Sequence, residues 1–307
     1  MSTRTSRFSF ASAPVSWGVE DYPGPAWEQS YEQILDEMVA GGFTGTELGP
    51  YGYFPTDAEV LRPVLKKRGL AMLSSFVPVN LADPSSTSSV LEHIRKVGKL
   101  LSALQAPCLV LADAESPERQ NLAGRVPADG NRSLNPSQWR GVAQLVAEAE
   151  RVAADFGLDL VFHPHVGTFV ETPRETEWLF DAVSGTKTGL CLDTGHCYYG
   201  GGDPVSEAQR YRALLRYIHI KDINRSVLEQ ARAKGLGFGQ AVEAGVFTPI
   251  GEGCVDFPAF FQTLLQNDYS GWMVVEQDVK YGATVIPPAQ SMATSRRYLQ
   301  GVVERLS

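Results

Sequence analysis

Cysteine is scarce in this sequence, and a long apolar run is missing altogether. The four cysteines, Cys108, Cys191, Cys197 and Cys254, show no CxxC spacing, which argues against a disulfide framework or a zinc knuckle. No segment reaches the roughly eighteen apolar residues of a membrane span, and the start MSTRTSRFSF has no apolar signal core. The sequence therefore predicts a cytoplasmic protein with reduced thiols and no membrane partner.

An excess of basic residues is also missing. The 307 residues carry a formal net charge of -8 and a pI near 5.2, so the chain lacks the positive surface that binds phosphate backbones. No GxGxxG motif follows the first predicted strand, which disfavours a dinucleotide-binding domain. We therefore expect no nucleic-acid partner and a site of another kind.

Short apolar runs alternate with longer amphipathic segments along the chain. The alternation predicts eight parallel strands, each followed by a helix. Because no composition break separates two halves, we expect one (β/α)8 barrel, an α/β domain over residues 1–307, rather than a doubly wound sheet. Two insertions, at about 113–137 and about 223–255, follow the fourth and seventh strands on the C-terminal side, where they are expected to shape a pocket.

Polar side chains end four consecutive predicted strands, and four of the five histidines in the chain are among them. The set consists of His163, His165, Asp193, His196, His219, Lys221 and Glu276. Residues two apart on a strand point to the same side, so the paired members can face one barrel mouth. Converging imidazole and carboxylate groups suit a divalent transition metal. The pattern therefore predicts a metal site.

Individual residues also have structural interpretations. Asp193 in CLDTGH can cap the next segment, and His219 can be a buried histidine bonded to the backbone. Glu47, at the end of the second strand, either reaches the same mouth or faces solvent. Trp17, after the first strand, either packs on a polyol ring or covers the core. The whole set favours a site more strongly than any one member does.

Seven motifs together resemble the inosose dehydratase family, within the xylose-isomerase-like sugar isomerase and epimerase superfamily. They are APVSWG, GFTGTELG, HPHVGT, LDTGH, HIKDI, ARAKGLGF and GWMVVEQD. The resemblance implies a barrel that binds one divalent cation, most often manganese or cobalt, with magnesium and zinc as alternatives. The ligands implied are His163, Asp193, His219 and Glu276. Much of the superfamily has glutamate at the first of these positions, so His165 and Glu171 stay open as alternative ligands.

The resemblance implies a metal-dependent hydro-lyase of inositol catabolism, which dehydrates a cyclic keto-polyol, 2-keto-myo-inositol, to a diketone. His165 is the expected base, and Lys221 or His196 the expected acid for the leaving hydroxyl. The expected substrate contacts are Glu47, Trp17 and Glu171. Two alternatives stay open: a sugar isomerase or epimerase, and the barrel subunit of a C-glycoside deglycosidase with a small partner chain. By analogy with the superfamily, a homo-oligomer also stays open.

Overall fold

The computed structural model describes residues 7–20, 24–283 and 286–306. These ranges contain nine strands that form one parallel sheet and two short strands that form a separate antiparallel ribbon. In chain order the strands are β1 (Phe8–Ser12), β2 (Gly45–Thr46), β3 (Ala71–Met72), β4 (Phe76–Val79), β5 (Cys108–Asp113), β6 (Asp159–Phe162), β7 (Gly189–Asp193), β8 (Leu215–Ile220), β9 (Asp222–Ile223), β10 (Phe247–Thr248) and β11 (Gly271–Val275).

The parallel sheet closes on itself. Its strand order is β3-β2-β1-β11-β8-β7-β6-β5-β4, so β3 and β4 are the two edges. Only residues 73–75 separate these edges, and the Leu73 N–H donates to the Thr46 carbonyl while the Val110 N–H donates to the Ser75 carbonyl. The two edges are thus halves of one strand position, which leaves eight positions around the sheet. The predicted (β/α)8 barrel is confirmed.

Helices surround the sheet, and several begin at caps that the sequence supplies. Thr172 and Glu175 form a capping box at the start of α6, and Asn135 and Gln138 do so for α5. The helices are α1 (Tyr31–Ala40), α2 (Ala58–Arg68), α3 (Thr87–Ala103), α4 (Pro117–Leu122), α5 (Pro136–Asp155), α6 (Pro173–Ala182), α7 (Thr194–Tyr199), α8 (Pro204–Arg210), α9 (Arg225–Lys234), α10 (Phe238–Glu243), α11 (Phe257–Gln266) and α12 (Pro288–Leu306), with 3-10 turns at Pro14–Trp17, Pro25–Glu28 and Pro84–Ser86.

Apolar side chains fill the barrel below its C-terminal mouth. This interior layer consists of Ala11, Ala13, Leu73, Cys108, Val110, Val161, Cys191, Tyr217 and Val274, all buried. Interior positions of such barrels are packed with side chains and do not form a pore. Polar groups at the strand ends can therefore meet only above this layer.

The two insertions carry secondary structure of their own. The first contains α4, and the second contains α9, α10 and the ribbon in which Phe247 pairs with Ile223 and Thr248 with Asp222. The expected loop after the seventh strand is therefore largely a helical cover fastened to the barrel by a ribbon. Among the helices of the described ranges, none combines the length and apolar composition needed to cross a bilayer.

Candidate metal centre and active site

The HPH motif follows β6 instead of lying on it. The strand ends at Phe162, because Pro164 has no N–H to continue the ladder. The His163 N–H still donates to the Leu111 carbonyl at 2.8 Å, so His163 keeps the direction of the strand. The His163 and His165 rings lie 5.5 Å apart between centroids. The expectation that both histidines lie on a strand is corrected, whereas their proximity is as expected.

Four buried side chains converge at the barrel mouth, and we call His163, Asp193, His219 and Glu276 the ligand cluster. Asp193 Oδ2 lies 3.4 Å from His163 Nε2 and 3.8 Å from His219 Nδ1, and Glu276 Oε2 lies 3.2 Å from the same Nδ1. Asp193 Oδ1 accepts the His196 N–H at 2.8 Å, so this carboxylate caps α7 and faces the cluster at once. The structure brings together all four of the ligands expected from the sequence.

The protonation of His219 tests whether this cluster suits a cation. Its Nε2 lies 3.0 Å from Glu47 Oε1, which can only accept, so Nε2 carries the proton in the neutral ring. Its Nδ1 has no hydrogen-bond partner among the described residues, and its lone pair then faces the carboxylates of Asp193 and Glu276. In the neutral ring three electron-rich atoms face one buried place, where a bound cation would replace the proton that the carboxylates otherwise favour on His219. The donor set therefore fits a divalent metal.

Glu47 contacts His219 at Nε2, whereas Asp193 and Glu276 lie near Nδ1 on the other side of the ring. Its side chain is 2% exposed, and Ser74 Oγ donates to its Oε1 at 2.7 Å. Burial acts to lower the pKa of His219, but Cys191 and the carboxylates of Glu276 and Glu47 outweigh it and raise that pKa well above its ordinary value. A carboxylate behind a metal-binding histidine orients the ring. The substrate contact expected of Glu47 is replaced by a contact with His219.

Lys221 neutralises the acidic side of the site. Its Nζ lies 2.9 Å from Asp193 Oδ2, 2.8 Å from Glu276 Oε2 and 3.2 Å from Asp278 Oδ1. Burial acts to lower the pKa of Lys221, but these three carboxylates outweigh it and raise the pKa well above its ordinary value. The side chain is therefore an ammonium at neutral pH. The lowered pKa that an acid role for lysine commonly uses is absent at this position.

His165 and His196 stack at the outer side of the cluster, and we call this pair the histidine stack. Their ring centroids are 3.8 Å apart at an interplanar angle of 34°. Phe238 of α10 covers both rings, with centroid distances of 5.6 and 5.7 Å. Burial lowers the pKa of each histidine well below its ordinary value, assisted by the neighbouring His196 for His165 and by Lys221 for His196. Both rings are therefore neutral at pH 7.

Two residues expected at the site lie elsewhere. Trp17 is 3% exposed within the apolar core, and its indole N–H donates to Glu37 Oε2 of α1 at 2.6 Å. Glu171 accepts the backbone N–H groups of Gly124 and Gly167 at 2.7 and 2.8 Å, and it lies in none of the potential metal-binding groups among the described residues. In the structure Trp17 thus packs in the core and Glu171 binds backbone N–H groups, and the roles predicted for the two residues stay predictions.

Two residues of the site were missed by the sequence analysis. Asp278 lies two residues after Glu276 and contacts both His196 Nε2, at 3.2 Å, and Lys221. Its spacing from Glu276 repeats that of His163 and His165, and this signal was available in GWMVVEQD. Phe238 comes from the second insertion, and no residue pattern predicts that it reaches the histidine stack.

Comparisons with known proteins show the family and the fold. The xylose isomerase-like TIM barrel family matches residues 35–301. An inosose dehydratase of Geobacillus kaustophilus is 31% identical, covering 97% of this chain and 96% of the relative. The rhizopine catabolism protein MocC of Rhizobium meliloti is 34% identical, covering 86% and 80%. A solved structure, that of the IOLI protein with a binding zinc atom, has a TM-score of 0.72 at 13% identity and covers 97% and 98%.

The fold and the family match show that the chain belongs to the xylose isomerase-like TIM barrel family. Within that class it belongs to the inosose dehydratase family, because its similarity to such a dehydratase extends over nearly the full length of both chains. The resemblance found from the sequence motifs is thereby confirmed.

Proposed function

We propose that this protein is a metal-dependent hydro-lyase that removes water from a cyclic keto-polyol of the inosose type. The observation that carries the proposal is the histidine stack beside the buried ligand cluster. Dehydration next to a ketone requires a base for the α-proton, a proton source for the β-hydroxyl and a positive group at the ketone oxygen. Family membership supports the same reaction, because relatives that match nearly the full chain are inosose dehydratases.

The residues that would hold the cation are those of the ligand cluster. Two imidazole nitrogens and two carboxylate oxygens suit manganese, cobalt or zinc, and the zinc of the IOLI protein supports a divalent cation. When bound, the cation supplies Lewis-acid polarisation of the ketone oxygen. Glu47 would hold the His219 ring in the orientation that binding requires.

His165 takes the proton from the carbon next to the ketone in this proposal. Its Nδ1 lies 2.8 Å from the Val166 carbonyl, which can only accept, so Nδ1 carries the proton and the Nε2 lone pair is available. Its side chain is 13% exposed, whereas those of His163, His196 and His219 are at most 2% exposed. It is therefore the histidine of the site that a substrate reaches most easily.

Lys221 is the proton source for the leaving hydroxyl. As the C–H bond breaks toward His165 Nε2, its electron pair forms the carbon–carbon double bond and the β C–O bond breaks. A departing hydroxide is a far stronger base than an amine, so even an ammonium with a raised pKa protonates it. Water and an enol result, and the enol becomes the diketone. His165 and Lys221 then exchange protons with solvent and recover their starting states.

The decisive experiment is turnover of 2-keto-myo-inositol by protein stripped of metal, with and without added Mn²⁺, Co²⁺ or Zn²⁺. We expect metal-dependent growth of ultraviolet absorbance from the enolised diketone. In the variant His165→Ala the rate of this absorbance growth should fall by about 10²- to 10⁴-fold, because a general base has been removed. The control is His93→Ala, because His93 lies on α3 with its ring against Tyr51.

The same assay separates dehydration from its main rival. A sugar isomerase or epimerase conserves water, so an isomeric ketose without new absorbance would contradict the dehydratase assignment. Equal activity of His165→Ala and His93→Ala would contradict the role of His165 while leaving the reaction in place.

A further inference from the structure

The two peptide groups that flank the Val166 Cα bond to the two members of the histidine stack, one to each ring and with opposite polarity. The Val166 carbonyl lies 2.8 Å from His165 Nδ1, and the Val166 N–H donates to His196 Nδ1 at 3.2 Å. A peptide carbonyl only accepts and a peptide N–H only donates. His165 therefore carries a proton on Nδ1, whereas His196 carries none there.

The turn that contains the two peptide groups of Val166 is held by further hydrogen bonds. The His165 N–H donates to the Val170 carbonyl at 2.9 Å, and the Thr168 hydroxyl donates to the His165 carbonyl at 2.7 Å. The Gly167 N–H donates to Glu171 Oε2 at 2.8 Å, and Val166 itself is fully buried. Neither peptide group can turn over without breaking one of these bonds, so the polarity of both toward the two rings is fixed.

The Nε2 atoms of the two rings then differ in the proton transfer that they allow. In the neutral ring of His196 the proton sits on Nε2, which lies 3.2 Å from Asp278 Oδ2 without an aligned hydrogen bond. Release of that proton would leave an imidazolate, because the Val166 N–H blocks a replacement proton on Nδ1. His165 has no such restriction, since its Nδ1–H stays bonded to the Val166 carbonyl while Nε2 gains a proton.

We propose that the main chain at Val166 locks the histidine stack in opposite tautomers, that His196 is a neutral hydrogen-bond donor to a substrate oxygen and not an acid, and that Asp278 is a positioning residue for that donor. The identity of the substrate oxygen rests on the proposed function. Asp278 Oδ1 lies 3.2 Å from Lys221 Nζ and Oδ2 lies 3.2 Å from His196 Nε2, so one carboxylate places two donors side by side. Such a pair fits neighbouring oxygens of a polyol.

The first test is a tautomer measurement on the full chain loaded with Zn²⁺, by long-range ¹H–¹⁵N NMR of ¹⁵N-labelled histidine. With five histidines, single variants assign each spectrum. We expect the Nδ1–H tautomer for His165 and the Nε2–H tautomer for His196. The reverse tautomer on either ring, or an imidazolium at His196, overturns the proposal. No substrate is used, so this result does not depend on the dehydratase assignment.

The second test compares His196→Gln with His196→Ala in inosose turnover. Glutamine keeps a neutral N–H donor but cannot serve as an acid. Loss of one preorganised donor commonly costs about 10²- to 10³-fold in kcat, so we expect that loss for alanine and at least a tenfold recovery for glutamine. Equal losses in the two variants overturn the donor role.

Asp278 is tested with Asp278→Ala and Asp278→Asn, and the exposed Asp181→Asn is the control. We expect kcat to fall in the alanine variant, to recover in part in the asparagine variant, and the Nε2–H tautomer of His196 to persist in both. Unchanged kcat in Asp278→Ala overturns the positioning role. If the starting protein and all variants lack turnover but the tautomers are as expected, the proposed function is overturned, while the proposal that the main chain fixes the two tautomers is retained.

Discussion

At the scale of single residues, the proposed metal site depends on the contact between Glu47 and His219. Replacing Glu47 by methionine keeps the length of the side chain and removes the acceptor of the His219 Nε2–H. We expect Glu47→Met to bind Mn²⁺ or Zn²⁺ about 10- to 100-fold more weakly, because the ring loses its orientation. Glu47→Gln keeps an oxygen acceptor and should lose less. Metal titration followed by calorimetry measures both.

The control for this prediction is Glu32→Met, since Glu32 is exposed on α1. Affinity in Glu47→Met equal to that of the control would show that His219 needs no partner, and the account of Glu47 would fail.

Glu171 makes the stability of the folded protein depend on pH. Burial raises its pKa to about 7, against the opposing N–H groups of Gly167 and Gly124. Because the folded pKa exceeds the ordinary value of 4.5, its stabilising contribution is complete below about pH 4.5 and is lost as pH rises to about 7. The loss is on the order of 3 kcal/mol. The ¹³C shift of its carboxyl should show a midpoint near pH 7, and a midpoint below 4 would contradict this.

The sequence predicts the site residues to the extent that strand periodicity controls them. His163, Asp193, His219 and Glu276 follow neighbouring strands, so their meeting needed only the barrel topology. Asp278 carried the same two-residue spacing and was predictable by the same rule. The positions of Glu47 and Trp17 depend on which side of the strand end each faces, and that is settled by packing. The apolar residues next to Glu47 and Trp17 in the sequence are compatible with a side chain that faces the mouth and with one that faces away from it.

At the scale of elements, one buried ion pair joins the first insertion to the barrel. Arg119 of α4 and Glu175 of α6 make two bonds of 2.8 and 2.9 Å, and their side chains are 0% and 1% exposed. We expect Arg119→Met to lower the free energy of unfolding by about 3–5 kcal/mol, because the Glu175 charge stays buried without its partner. Urea denaturation measures this difference.

The matched control for the ion pair is Arg62→Met, which removes the exposed pair with Glu59. Its expected cost is less than about 1 kcal/mol. The double variant Arg119→Met with Glu175→Gln should recover much of the loss, since glutamine keeps the capping box and no buried charge is left. Additive losses would show that the charge is not the cause.

Strands and helices whose apolar residues recur with a clear period were predictable from the sequence. Elements that depend on contacts with residues far away in the sequence were not. All eight strand positions follow from apolar runs, and the end of β6 follows from Pro164. The second insertion lacks a continuous apolar face, yet α9 and α10 form because Leu228, Ala231 and Phe238 pack against Val166 and Tyr199. That packing exists only once β6 and β7 are in place.

At the scale of the whole molecule, the site is closed. The ligand cluster is at most 3% exposed and Phe238, on α10, lies over the histidine stack. Closure excludes water, which strengthens every electrostatic contact within the site and protects the enol from side reactions. The His165 side chain, 13% exposed, is the histidine of the site that solvent still reaches. Gly235, with a φ of +66°, ends α9 and lies three residues before Phe238.

Metal binding should stabilise the entire barrel, because the ligand cluster joins four neighbouring strand positions. A cation present at about 100 times its Kd adds roughly 2.7 kcal/mol to the folded state. For a chain of 307 residues this corresponds to a rise in Tm of about 4 °C. Scanning calorimetry of stripped and Mn²⁺-loaded protein measures it. Asp193→Asn and Glu276→Gln should abolish the rise and His93→Ala should keep it, whereas a full rise in Asp193→Asn would place the cation elsewhere.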